Sequence, residues 1–317
     1  MSKSKLFQSW DESETLVKSY GYRRGDPLTQ SLQEARKYQM EYLLFLANEE
    51  VELGQKYDHQ IDGPYGPLKL RILMPKVMRF STPIFYIRGG GWWVGNLETS
   101  ARTMALLCNA SGMPVIGIDY RLAPEHSFPV QQDEVVFAGM WLAEHGHSFG
   151  LAMEFGIVMW GESAGATLAV CASRELLSLG VESVGHLLNY GNYLGPYERL
   201  RPVSRWVWKQ YLKDQLEDPP NRALVFVKNG LTGIQRAWVS CGTNDDLLSD
   251  TRVLVQKLKS EGIPHTTHFP LAMPHGYIAM SRFLEPAQKT IETAADFANT
   301  FVIEARTLSK LSLGSLL

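Results

Sequence analysis

Ile157-Val158-Met159-Trp160-Gly161-Glu162-Ser163-Ala164-Gly165 joins an uninterrupted apolar run to a G-x-S-x-G turn, and the segment Thr167–Leu179 beyond it has helical periodicity. The order is strand, tight turn, helix. A serine placed there stands on a sharp, strained bend that exposes its oxygen above the sheet, and the flanking glycines remove Cβ atoms that would collide. The following helix aims its N-terminus at the same spot, where backbone N–H groups meet developing negative charge. Outside that setting the pattern is weak, because small residues cluster in many ordinary strand-to-helix turns. The rest of the chain has to supply the other parts.

Working outward, short apolar runs recur at Ile84–Ile87, Val115–Ile118, Leu187–Leu188 and Ala237–Val239, with helical segments such as Val135–Ala143 and Val253–Lys259 between them. Strands apolar throughout that alternate with helices imply a mostly parallel central sheet flanked by helices on both faces, an α/β fold. Leu68, Leu70 and Ile72 alternate with Lys69 and Arg71 in the manner of a half-buried strand. From Asp26 to Val51 the chain reads as helices outside the sheet. Tyr190–Gly230 carries Gly191, Gly195, Pro196, Pro202, Pro219 and Pro220 and no clean strand, and reads as an insertion of short helices.

With 317 residues, 45% hydrophobic and 20% charged, the chain has ample apolar material for one large core with a smaller accessory part. Thirty-one Lys and Arg against 33 Asp and Glu give a net charge of −2 without a long basic block, which argues against nucleic acid as a partner. The N-terminal stretch lacks the apolar core of a secretory signal, and no run of about 18 apolar residues suits a membrane span, so a cytoplasmic protein is expected. Cys108, Cys171 and Cys241 are odd in number and lie in or beside apolar runs, as buried free thiols do. No CxxC or HExxH occurs, and no metal is expected.

A hydroxyl nucleophile needs a general base, and the base needs a carboxylate that fixes its tautomer. In chain order, Ser163 is followed by Asp245 in Gly242-Thr243-Asn244-Asp245-Asp246-Leu247-Leu248 and by His275 in Met273-Pro274-His275-Gly276-Tyr277. Both stand past strand ends, where α/β sites assemble. Asp246 and Asp250 are alternates to Asp245, the latter in the first turn of a helix; His265 and His268 compete with His275 but fall inside a strand, and His126 and His186 read as structural. Arg88-Gly89-Gly90-Gly91-Trp92-Trp93 follows the Ile84–Ile87 strand, and its three glycines let the backbone approach a ligand with N–H groups free, as an oxyanion hole requires. A phosphate loop is the rival reading, but no Gly-Lys-Ser/Thr follows.

Together with these stretches, Asp119-Tyr120-Arg121-Leu122-Ala123-Pro124-Glu125-His126-Ser127-Phe128-Pro129 makes the chain resemble the hormone-sensitive-lipase-like carboxylesterases of the α/β-hydrolase superfamily, over about residues 65–283. The resemblance implies an α/β-hydrolase fold with a helical cap, divided into residues 1–52 (N-terminal cap part), 53–189 (first core part), 190–230 (cap insertion) and 231–317 (second core part). It implies Ser163, His275 and Asp245 as nucleophile, base and acid, the amides of Gly90, Gly91 and Ala164 as oxyanion hole, and structural ion pairs for Asp119, Arg121 and Glu125. No cofactor is implied. The substrate it implies is a small-molecule ester of short to medium chain.

One residue departs from the family pattern. Arg88 stands where the family has His, so it either holds the glycine loop through carbonyl contacts or reaches a substrate carboxylate and favours an acidic ester. Trp92, Glu162 and Trp206 are further candidate substrate contacts, although the spacing of Trp206, Trp208 and Tyr211 equally suits packing on the parent domain. A non-catalytic receptor on the same fold, and an amidase, lactonase or acyltransferase with the same triad, are the rival functions. The partly apolar tail 283–317 suits docking on the core or on a second copy in a homodimer.

Overall fold

The apolar runs become strands of one eight-stranded sheet: β1 (Gln55–Gly63), β2 (Gly66–Met74), β3 (Ile84–Ile87), β4 (Val115–Ile118), β5 (Ile157–Glu162), β6 (Ser183–Asn189), β7 (Ala237–Ser240) and β8 (His265–His268). Their order is β1-β2-β4-β3-β5-β6-β7-β8. β2 runs antiparallel to both β1 and β4, and every pairing from β4 through β3 to β8 is parallel. The computed structural model describes residues 6–196 and 202–314. Residues 1–5 of the expected N-terminal cap part, 197–201 of the insertion and 315–317 of the tail lie outside the described residues.

Strand periodicity divides the core in two. Phe85, Ile87 and Met159 face a cluster with α4 (Val130–His145), α5 (Ala164–Ser178) and α7 (Leu248–Ser260). Ile84, Tyr86, Val158 and Trp160 face the opposite cluster with α3 (Ala101–Ser111) and α8 (Glu285–Gly314). Successive strand residues point to opposite faces, and both faces are covered, which is why these strands are apolar at every position. The tail's apolar face, including Ile291, Ala294, Ala298 and Phe301, is buried within its own chain. Phe301 sits where a Cβ on Gly185 of β6 would come within 2.3 Å of its ring, so the sheet and α8 meet in close contact there.

Two elements differ from expectation. β1 reads Gln-Lys-Tyr-Asp-His-Gln-Ile-Asp-Gly and buries only Ile61; it is held by the antiparallel ladder to β2 rather than by an apolar face, so its sequence carries no alternation to detect. α1 (Trp10–Ser19) precedes the expected helical region. Within that region α2 (Leu32–Ala47) opens on a capping box in which Ser31 and Glu34 satisfy each other's backbone N–H groups. The insertion forms α6 (Pro202–Leu212) and two short 3-10 turns.

The three cysteines are free and buried, and burial pushes the Cys108 and Cys171 thiols up to about 12. Among the described residues no helix is long and apolar enough to cross a membrane, and no group of three or more His, Cys, Asp or Glu is placed to hold a metal.

Phe301→Ala is expected to destabilise the protein by about 3 kcal/mol or more through the cavity left against β6. Thermal unfolding checks it, and an unchanged melting temperature would mean that α8 is not part of the cooperative core.

Candidate active site

Ser163 occupies the turn between β5 and α5 with φ 51° and ψ −121°, a left-handed conformation that side-chain-bearing residues rarely adopt. The turn closes because its neighbours lack side chains. A Cβ on Gly161 would lie 2.4 Å from Ala166 Cα, and one on Gly165 would lie 2.2 Å from the Ile87 carbonyl oxygen and 2.3 Å from that of Arg88. The Ser163 N–H donates to the Asn189 carbonyl at 2.9 Å, fixing the bend to the end of β6.

Ser163 Oγ lies 2.9 Å from His275 Nε2, and His275 Nδ1 lies 3.0 and 3.1 Å from the two carboxylate oxygens of Asp245. Asp245 is buried, and its Oδ1 also accepts from the Leu247 N–H at 2.7 Å, which orients the carboxylate. Burial lowers the His275 pKa, but the charge of Asp245 and its hydrogen bond raise it, and the net direction is upward. The relay can therefore accept a proton from the serine and hold the resulting imidazolium.

Asp250, His268 and His186 are engaged elsewhere. Asp250 is buried and accepts from the Leu194 N–H at 2.9 Å. His265 and His268 lie on β8, where His268 bonds Thr290 at 3.1 Å. His186 is fully buried beside Ser173 at 2.7 Å, and burial depresses its pKa to about 3, so that pair has no access to solvent or substrate. Asp246 lines the cavity next to Asp245.

The glycine loop adjoins the serine: a Cβ on Gly89 would stand 3.4 Å from Ser163 Cβ. Gly90 and Gly91 both have positive φ, at 113° and 55°, and among the described residues their N–H groups donate to no protein acceptor. Ala164 is the first residue of α5, where a helical N–H has no intrahelical partner. Gly89, Gly90, Gly91, Ser163 and His275 open on one cavity of about 480 Å³, closed by residues before and along α2 and by Pro202, Val203, Ser204 and Val207 of α6. A larger cleft of about 750 Å³, between the end of α2 and β1, contains none of these residues.

Three of the candidate substrate contacts are placed otherwise. Arg88 is 2% exposed and does not line the cavity. Its guanidinium donates to the Val94 carbonyl at 3.1 Å and the Tyr120 carbonyl at 2.8 Å, lies 3.9 Å over the Tyr120 ring, and has Asp119 at 3.8 Å. It holds the loop through backbone oxygens, as a residue with donors and no acceptor must. Trp92 is fully buried, stacked on Tyr211 of α6 at 4.3 Å, and the half-buried Trp206 packs edge-on against Trp93 at 5.2 Å. These aromatics fasten α6 to the glycine loop.

Glu162 does line the cavity, but its carboxylate accepts from Tyr86, from Trp160 at 2.9 Å and from Tyr190 at 3.2 Å. Burial raises its pKa against those hydrogen bonds. The ring of Tyr190, one of these donors, meets that of His275 edge-on at 5.1 Å. Tyr190, Trp93 and Arg24, which no motif marks as site residues, also line the cavity. Only the position of Tyr190 just past an apolar strand was a signal.

The expected ion pairs are present: Arg121 with Glu134, Asp119 beside Arg88, and Glu125 with Arg36 of α2 at 2.7 Å. Arg36 also donates to the carbonyls of Trp93 and Ala123, both at 2.9 Å, tying α2 to the glycine loop.

The family profile of the alpha/beta hydrolase fold matches residues 84–279, well over half of the chain. The chain belongs to that family. The motifs, acid segment and terminal His place it in the hormone-sensitive-lipase-like branch. The hydrolase is 28% identical over 254 residues to the acetyl esterase of Salmonella choleraesuis (strain SC-B67), covering 75% of this chain and 77% of that protein. Its fold superposes on a Pyrobaculum calidifontis esterase with a TM-score of 0.79 at 23% identity, over 93% of this chain and 99% of that one. An ester hydrolase from the metagenome of Lake Arreo, solved with a bipyridine phosphonate derivative, matches at a TM-score of 0.81 and 25% identity, over 93% and 99%.

Arg88→Lys keeps the charge but not the forked donors, so it is expected to lower stability by about 1–3 kcal/mol as buried carbonyls lose their partners. A denaturant titration measures this; a variant as stable as the parent would show that the loop needs no guanidinium.

Proposed function

We propose that this hydrolase cleaves carboxylic esters of short to medium chain through an acyl-enzyme, with Ser163 as nucleophile, His275 as general base and then acid, and Asp245 as the orienting carboxylate. The observation that carries the reading is the continuous relay from Ser163 Oγ to His275 at 2.9 Å and on to Asp245 at 3.0 Å, facing a partly covered cavity. The names of the acetyl esterase relatives and esterase neighbours support the ester as electrophile.

His275 takes the Ser163 proton as the oxygen attacks the carbonyl carbon, and the amides of Gly90, Gly91 and Ala164 receive the developing oxyanion. The alcohol leaves with the proton returned by His275. Water, deprotonated by the same imidazole, releases the acid. A cavity volume of about 480 Å³, in the lower half of the range for small-molecule sites, supports short and medium acyl groups as substrates. No cofactor takes part. Buried, unpaired cysteines agree with a cytoplasmic, reducing setting.

Ser163→Ala is expected to lower kcat by about 10⁴-fold or more on a neutral short-chain ester. Parent-like turnover in the folded variant would remove Ser163 from the mechanism.

The pH dependence follows from the direction of the His275 shift. The base works only when neutral, so kcat/KM falls as pH drops through a pKa raised above the ordinary histidine value. In Asp245→Asn the raising charge is gone and burial dominates, so the acid limb moves to lower pH while kcat falls about 10⁴-fold with loss of the tautomer. An acid limb that stays in place in this variant would mean that Asp245 does not set the base.

A further inference from the structure

Among the described residues, the charged groups lining the cavity are Arg24, Glu162, Asp246 and His275. His275 belongs to the relay, Glu162 is occupied by three donors, and Asp246 adjoins the acid. Arg24 has no such assignment. It sits in the connection between α1 and α2, with its guanidinium carbon 4.9 Å from the Trp10 ring centroid and 5.3 Å from that of Tyr42. Its one ion pair, with Glu14, spans 4.0 Å, beyond hydrogen-bonding reach, and among the described residues its N–H groups donate to no acceptor. The side chain is 39% exposed, so a ligand in the cavity can reach it. Arg24 is also close enough to His275 to oppose its protonation.

A guanidinium resting near two aromatic rings has lost part of its conformational freedom before a ligand arrives, and its parallel donors match a carboxylate. Arg88, the sequence's candidate for this task, is enclosed by carbonyls and is not on the cavity wall.

We propose that Arg24 determines specificity by receiving a carboxylate on the substrate, so that half-esters of dicarboxylic acids are the preferred class. This rests on the ester-hydrolase reading of the site. Water is added across the ester C–O bond, giving the dicarboxylate and the alcohol, and the second carboxylate stays on Arg24 throughout as a binding group.

The test compares monoethyl esters of butanedioic, pentanedioic and hexanedioic acids with ethyl esters of the matching monocarboxylic acids, for the parent, Arg24→Gln and Arg24→Lys, with melting temperatures to confirm folding. The parent is expected to favour one half-ester by kcat/KM. Arg24→Gln is expected to reduce that preference by about tenfold or more, mainly through KM, with partial recovery in Arg24→Lys. A parent with no preference for any half-ester, or a preference that survives in Arg24→Gln, overturns the proposal. Calorimetry of the corresponding dicarboxylates with folded Ser163→Ala separates the two readings. Binding that Arg24→Gln abolishes supports Arg24 even if turnover is absent and the ester reading fails; neutral-ester turnover without dicarboxylate binding leaves the ester reading intact and overturns the role of Arg24.

Discussion

The left-handed backbone at Ser163 is the constraint on which the rest of the site depends. Such a conformation costs on the order of 1–3 kcal/mol in a residue with a side chain and persists only where surrounding contacts over-determine it. Here the surroundings are the Ser163 N–H bond to Asn189, the end of β5 and the start of α5. Gly165 permits the carbonyls of Ile87 and Arg88 to press against the start of the helix, which brings the glycine loop after β3 beside the serine. One close approach thus places the candidate nucleophile and the candidate oxyanion donors together.

The loops after β7 and β8 complete the site from the other side. Asp245 is turned by the Leu247 N–H, and His275 is flanked by the Tyr190 ring, itself held by Glu162. The cover over the cavity is fastened to the glycine loop at two places: Arg36 of α2 clasps the Trp93 and Ala123 carbonyls, and Trp92 stacks on Tyr211 of α6. Cover and loop are therefore mechanically linked, and a substitution in Arg36 or Trp92 acts on the site without touching a substrate.

Much of this was legible in the residues. Parallel strands covered on both faces need apolar side chains at every position, so β3, β4, β5 and β7 announced themselves, and the G-x-S-x-G turn is a steric requirement written in glycines. β1 was not, because an edge strand held by its backbone ladder tolerates a polar sequence. The role of Arg88 was readable only as a choice between two contacts, since a side chain with five donors suits carbonyls and carboxylates alike; burial decided it. Trp92 and Trp206 show the same ambiguity, as an aromatic beside a pocket and one beneath its cover look identical in sequence. Arg24 lies far from every motif, and only folding brings it to the cavity.

Catalysis through this relay requires that Ser163 be an activated nucleophile. Intact-mass spectrometry after incubation with a neutral alkyl phosphonate ester, followed by peptide mapping, measures this directly. One phosphonyl group per chain, located on Ser163 and absent from folded Ser163→Ala, is the predicted result. A folded protein that remains unlabelled, or that is labelled at another residue, would contradict the relay as a catalytic device.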